Sequence, residues 1–195
     1  MVEPLEALLA RVYACRLCEA HLPLGPRPVL RVSATARLLI VGQAPGTKVH
    51  ETGIPWNDAS GDRLRDWLQL DRDRFYDVRR VAIVPTGLCY PGRLPRGGDA
   101  PPRPECAPLW HPQLRPHLSA VVLTLLVGSY AQAYYLGARR RASLSETVAA
   151  WQDYLPDFVP LPHPSWRTVA WQRRNPWFDS QLLPDLGARL QALWS

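Results

Sequence analysis

The chain has 195 residues, 47% of them hydrophobic, with eight tryptophans and a net charge of +6 from 23 basic and 17 acidic side chains. That composition excludes an intrinsically disordered chain and fits one packed domain over residues 1–195. The longest apolar stretch, Ala120 to Val127, is too short to cross a bilayer, and the first residues carry no secretory pattern, so the expectation is a cytoplasmic protein with reduced thiols and no membrane role.

In chain order, Pro4 to Ala20 spaces Leu5, Leu8, Leu9, Val12 and Leu17 as one buried helical face. Ala36 to Val41 reads as a buried strand that runs into a glycine turn, Arg63 to Leu70 as a helix, and Val81 to Val84 as a second strand. The Pro/Gly-rich stretch Pro91 to Pro104 is a loop, followed by a helix from Glu105 or Cys106. Ala120 to Val127 is the most apolar strand, ending at Gly128 and a helix through Leu136. A helix over Ser143 to Trp151, a short strand at Phe158 to Leu161 and a last helix over Asp179 to Leu193 complete the pattern. Strands alternating with helices predict an α/β fold, a three-layer α/β/α sandwich around a mostly parallel four-stranded sheet. Ligands bind such sheets beyond the carboxyl ends of the strands. Gly42 to Gly46, Pro85 to Tyr90 and His163-Pro164-Ser165 all fall there.

The four cysteines form a Cys15-x2-Cys18 pair and a distant Cys89, Cys106 pair that embraces the proline-rich loop. A zinc ribbon needs two close pairs. This spacing instead lashes a terminal helix to the domain through one metal centre, and four thiolates satisfy either Zn(II) or a [4Fe–4S] cluster. Only Lys48 is a lysine, and every other basic residue is arginine. Arginine forks suit phosphates and stacked bases, although a GC-rich coding sequence produces the same bias.

Taken in order, Cys15-x2-Cys18, Gly42-Gln43-Ala44-Pro45-Gly46, Thr52-Gly53-Ile54-Pro55-Trp56, Cys89 with Cys106, and His163-Pro164-Ser165 make the chain resemble the iron–sulfur uracil-DNA glycosylases, families four and five of that superfamily. The resemblance runs from about Cys15 to the final helix. It implies a [4Fe–4S] cluster on Cys15, Cys18, Cys89 and Cys106, and a monomer acting on DNA that contains a damaged base, near the nucleoid. It also implies a monofunctional glycosylase that leaves an abasic site for base excision repair. Without a lysine placed for a Schiff base, strand cleavage is not expected.

The resemblance implies that His163 donates to the uracil oxygen that gains charge, and that Trp56 stacks on the extruded base beside backbone at Gly42 and Ala44. Gln43 would position water or bind the base edge through its amide, which cannot serve as a general base. Asp58 would orient water or stabilise the sugar cation, and it reads equally as a helix N-cap. Ser60, Ser165, Trp166 and Arg167 would meet DNA, the last two filling the vacated stack, with Arg93, Arg96 and Arg103 on the proline-rich loop as further basic groups. Trp171 to Trp177 reads either as a stacking strip or as a basic face over a hydrophobic edge. Departures from the family pattern fall on the base pocket. Gln43 stands for a glutamate, His50 for an acid, Trp56 for a phenylalanine, and neither Pro85 to Leu88 nor Tyr90 to Arg96 offers the base-reading asparagine. These departures keep open hypoxanthine or xanthine as substrate, a catalytically weak lesion-sensing module, or a zinc protein.

Overall fold

In the computed structural model, which describes residues 3–95 and 97–194, the elements follow in the order α1 (Leu5–Tyr13), β1 (Leu38–Val41), α2 (Thr47–Thr52), α3 (Ala59–Leu68), α4 (Arg72–Tyr76), β2 (Val81–Ile83), α5 (Cys106–Leu114), β3 (Leu123–Val127), α6 (Ser129–Leu136), α7 (Leu144–Ala149), β4 (Phe158–Leu161), α8 (Thr168–Arg174) and α9 (Leu183–Trp194). The four strands are all parallel in the order β2-β1-β3-β4. Leu38 pairs with both Val81 and Leu123, and Thr124 pairs with Phe158. Strands buried on both faces read as near-continuous apolar runs, which LLIV is throughout and LTLLV is except for the buried Thr124.

Alternation along β1 separates the two faces. Leu38 and Ile40 join Leu64, Trp67, Phe75, Val148 and Leu186 on one side. Leu39 and Val41 join Leu8, Val12, Trp110, Leu114 and Leu136 on the other. Helices therefore cover both faces, as the sequence pattern predicts. Trp171 and Trp177 pack edge-on with Phe178 against the first cluster, while Arg173 and Arg174 are exposed. The stretch from Trp171 to Trp177 is thus a basic face over a hydrophobic edge.

Several boundaries differ from the expectation for local reasons. The first helix ends at Tyr13, and the chain then turns so that Cys15 and Cys18 line a cavity with Cys106 and Trp110 of α5, on which α1 packs. Helix α3 begins four residues early because Asp58 caps it, its Oδ1 accepting from the Gly61 N–H at 2.9 Å. The proline-rich loop is a small hairpin. Arg93 pairs with Asp99, the Leu94 N–H donates to the Gly98 carbonyl, and the Ala100 N–H donates to the Gly92 carbonyl. Arg96 lies outside the described residues.

Candidate active site and cysteine cavity

The carboxyl ends of the strands release the loops that build a cavity of about 70 Å³. From β1 come Gly42, Gln43, Ala44, Pro45 and Gly46. Beyond β2 lies Pro85, and beyond β4 lies His163. The α2–α3 connection supplies Trp56 and Asp58, the first turn of α3 supplies Ser60, and the hairpin supplies Asp99. Larger surface grooves of about 470 and 730 Å³ lie elsewhere, one around Leu114, Arg115 and Phe158, the other between Gln69 and Trp194. Neither contains a residue that the sequence motifs single out.

The β1 turn is pinned from below. The Thr86 hydroxyl donates to the Gln43 carbonyl at 2.7 Å, and the Thr86 and Gly87 N–H groups donate to the Gly42 and Gln43 carbonyls. A Cβ on Gly87 would meet Pro102 at 2.8 Å and Ala44 at 3.3 Å, so the hairpin and the turn close on this glycine. The segment without asparagine therefore serves as a latch. Gln43 donates an amide N–H to the Ala100 carbonyl at 3.0 Å, holding the hairpin against the cavity.

Trp56 sits at φ 57, a left-handed conformation that costs a non-glycine residue about 1 kcal/mol or more. Its surroundings hold it there. The buried Arg65 donates to the Trp56 carbonyl at 3.2 Å and to the Tyr76 hydroxyl, which donates to the Pro55 carbonyl. A Cβ on Gly61 would lie 1.7 Å from the Trp56 carbonyl oxygen. The indole covers Gly42, where a Cβ would meet Trp56 Cζ2 at 2.8 Å, and its ring centroid is 5.8 Å from that of His163. Glycine at 42 is thus required by close approach of the indole.

His163 is partly buried, and that burial lowers its pKa below the ordinary value against the opposing influence of Asp58. Its imidazole is neutral at pH 7 and can donate one N–H. Its carbonyl accepts from the Ser165 N–H at 2.8 Å and from the Thr168 hydroxyl, and the Ser165 carbonyl accepts from Arg63 on α3 at 2.6 Å. Beyond this anchored turn Trp166 is 76% exposed, with the Arg167 guanidinium 5.4 Å from its ring centroid. An exposed tryptophan on a fixed loop beside a cavity is suited to insertion between bases. Asp58 is the N-cap of α3 and also lines the cavity. Oδ1 caps α3, and Oδ2 lies 3.9 Å from the position of a Cβ on Gly46.

Two residues of the site carried no clear sequence signal. Asp99 reaches the cavity rim because the hairpin folds back. His111 buttresses the wall from behind: its Nε2–H donates to the Pro85 carbonyl at 3.1 Å, and the Tyr135 hydroxyl donates to its Nδ1 at 2.8 Å. A carbonyl only accepts, which fixes the tautomer, and burial lowers the His111 pKa, so the ring is neutral.

Cys15, Cys18, Cys89 and Cys106 line a second cavity with Leu22, Pro26, Pro28, Leu88, Arg103 and Trp110. The Leu88 N–H donates to the Cys106 sulfur at 3.3 Å. Burial pushes the Cys89 thiol up to about 11 and the Cys106 thiol up to about 12, opposed at Cys89 by a backbone hydrogen bond from Arg27. Among the described residues no group of three or more His, Cys, Asp or Glu is disposed to hold a single metal ion. His21 is exposed. Arg103 is turned to this cavity and pairs with Glu105 at 2.9 Å. Among the described residues no helix is long and apolar enough to cross a membrane.

The structure is thus a parallel α/β sandwich with a small pocket beyond its strand ends, lined by Trp56 and His163 and followed in the chain by the exposed Trp166. The family model of the uracil DNA glycosylase superfamily matches residues 31–187. The chain belongs to that superfamily, whose members are DNA glycosylases, hydrolases that act on DNA in repair. Cys15 and Cys18 precede the matched span, and every other candidate site residue lies within it.

Proposed function

We propose that the protein is a monofunctional DNA glycosylase of the iron–sulfur branch, hydrolysing the N-glycosidic bond of uracil or another deaminated base to leave an abasic site. The observation that carries this reading is the convergence of the Gly42–Gly46 turn, Trp56, Asp58 and His163 on one cavity. Bond cleavage makes the sugar cationic and the departing base anionic. His163 donates its N–H to the base oxygen that gains charge, and neutrality lets it do so without a charged group in the ground state. Asp58 Oδ2 faces the sugar side and orients water, while Trp56 walls the base. Gln43 works by holding the hairpin in place. Lys48, the one lysine, is exposed on α2 and is no part of the cavity lining, which supports hydrolysis without strand cleavage. Because Pro85 to Leu88 is used as a latch, no asparagine reads the base edge there, which favours a substrate range that extends beyond uracil.

Asp58→Asn keeps the capping oxygen and removes the charge. Its single-turnover excision rate should fall about 100-fold, while its melting stability stays within about 0.5 kcal/mol of wild type. Equal loss of stability and rate would make Asp58 a cap alone. The branch assignment rests on the cysteine cavity. Four soft thiols, backbone N–H donors to sulfur and an apolar wall fit a cluster, in which each thiolate takes its own iron, better than a single zinc ion. When bound, such a cluster would tie the segment after α1 to the start of α5. Iron and sulfide analysis of the purified protein tests it, and stoichiometric zinc without iron would refute it.

A further inference from the structure

Resting on the glycosylase reading, we propose that Asp99 is a second catalytic carboxylate of this cavity, facing Asp58 across Gly46 so that the two together hold the cationic sugar and the attacking water. Asp99 Oδ2 lies 3.5 Å, and Asp58 Oδ2 3.9 Å, from the point a Cβ on Gly46 would occupy. The absent side chain leaves a gap flanked by two carboxylate oxygens. Neither acid is free to swing its backbone away. Asp58 is held by its cap to Gly61, and Asp99 lies between the pairing with Arg93 and the Ala100 peptide, which is fixed by Gly92 and by the Gln43 amide.

The charge pattern is otherwise hard to understand. Asp99 is exposed at the mouth of a cavity that must accept a polyanion, and a carboxylate there repels phosphates. Among the described residues it forms no ion pair within 4.0 Å, and Arg93 influences it only at longer range. A positive charge developing inside the cavity gives two acids a partner. As the C1′–N bond breaks, its electron pair leaves with the base. The water oxygen bonds to C1′, and the water proton passes to one carboxylate of the pair. The base leaves as an anion and is protonated by solvent. The groups facing Asp99 are Asp58 from the start of α3, Arg93 from its own hairpin and His163 from the loop after β4, with Arg167 close to Gly98. Partial desolvation and the Asp58 charge raise its pKa, with Arg93 opposing them. Activity that needs both acids ionised therefore falls as pH drops through that raised value.

The test compares wild type with Asp99→Asn. Two duplexes serve as probes, one carrying a cationic pyrrolidine sugar mimic and one a neutral tetrahydrofuran abasic mimic. Wild type should favour the cationic duplex. Asp99→Asn should lose about 30-fold of that preference, the worth of one nearby unit charge at intermediate dielectric. Its affinity for the neutral duplex should be unchanged or tighter. The variant's excision rate should fall by a similar factor, with the acid limb of its pH profile moved to lower pH. Unchanged discrimination and an unmoved limb in a variant with wild-type melting would overturn the role of Asp99 while leaving the glycosylase reading intact. Wild type that binds neither duplex and excises no base would overturn both.

Discussion

His163→Ala should lower the single-turnover excision rate by about 1,000-fold, the loss expected for removing a donor aimed at a developing anion in a water-poor site. Affinity for DNA carrying a neutral abasic analogue should stay within about threefold, since that ligand has no base oxygen to receive the N–H and each 1.4 kcal/mol of binding is tenfold. The variant should fold. His163 contributes its carbonyl, not its ring, to the loop's hydrogen bonds with Ser165 and Thr168, and alanine keeps that carbonyl. His163→Gln returns a donor of similar reach and should recover part of the rate. Parallel losses of rate and affinity would assign His163 to DNA binding and remove the anion-stabilising role. The Trp56 ring beside it has no proton to give to a base oxygen except at the indole N–H, so compensation from within the same wall is limited.

The second large effect concerns the cysteines. Cys106→Ser should abolish bound iron and sulfide together with the brown colour. It should also lower unfolding free energy by about 4 kcal/mol, the linkage expected for a cofactor present at about 1,000 times its Kd. Serine nearly preserves volume, so the loss reports the cofactor and not the packing against Leu88 and Trp110. Because the Cys89 and Cys106 thiols stand at about 11 and about 12 without metal, they are protonated at pH 7 and must release protons on binding. Reconstitution with iron and sulfide should therefore tighten as pH rises from 6 to 8. A Cys106→Ser protein with unchanged melting and colour would contradict the assignment. Excision by the partly loaded protein should follow its folded fraction, because the active-site cavity and the cysteine cavity share no lining residue.

Much of this molecule was legible in its sequence. LLIV is apolar on both faces and LTLLV is so except at the buried Thr124, and the parallel sheet follows from that. The short motifs after β1, β2 and β4 mark the pocket because a parallel sheet delivers its carboxyl ends to one edge. What stayed hidden depends on contacts between distant segments. Asp99 lies in a run of glycines and prolines that reads as loop. Its approach to Asp58 is created by the Arg93–Asp99 pairing and by the Gln43 contact with Ala100, neither of which leaves a periodic trace. The same holds for His111, which reaches Pro85 from α5. Asp58 was readable as either cap or catalytic acid because both uses call for a carboxylate at the start of a helix, and the structure shows the cap. Trp171 and Trp177 fit a stacking strip and a hydrophobic edge equally by sequence, and their packing against Phe178 and the sheet-side cluster decides for the edge.

Glycosylase activity is measured most directly with a base panel. Duplex and single-stranded oligonucleotides carrying uracil, hypoxanthine or xanthine are incubated with the iron-loaded protein and then treated with alkali. Breaks should appear at one or more of these bases only after alkali, the signature of an abasic site left by hydrolysis. No breaks above background at any base, with DNA binding intact, would contradict glycosylase activity and leave a lesion-binding module on a glycosylase scaffold.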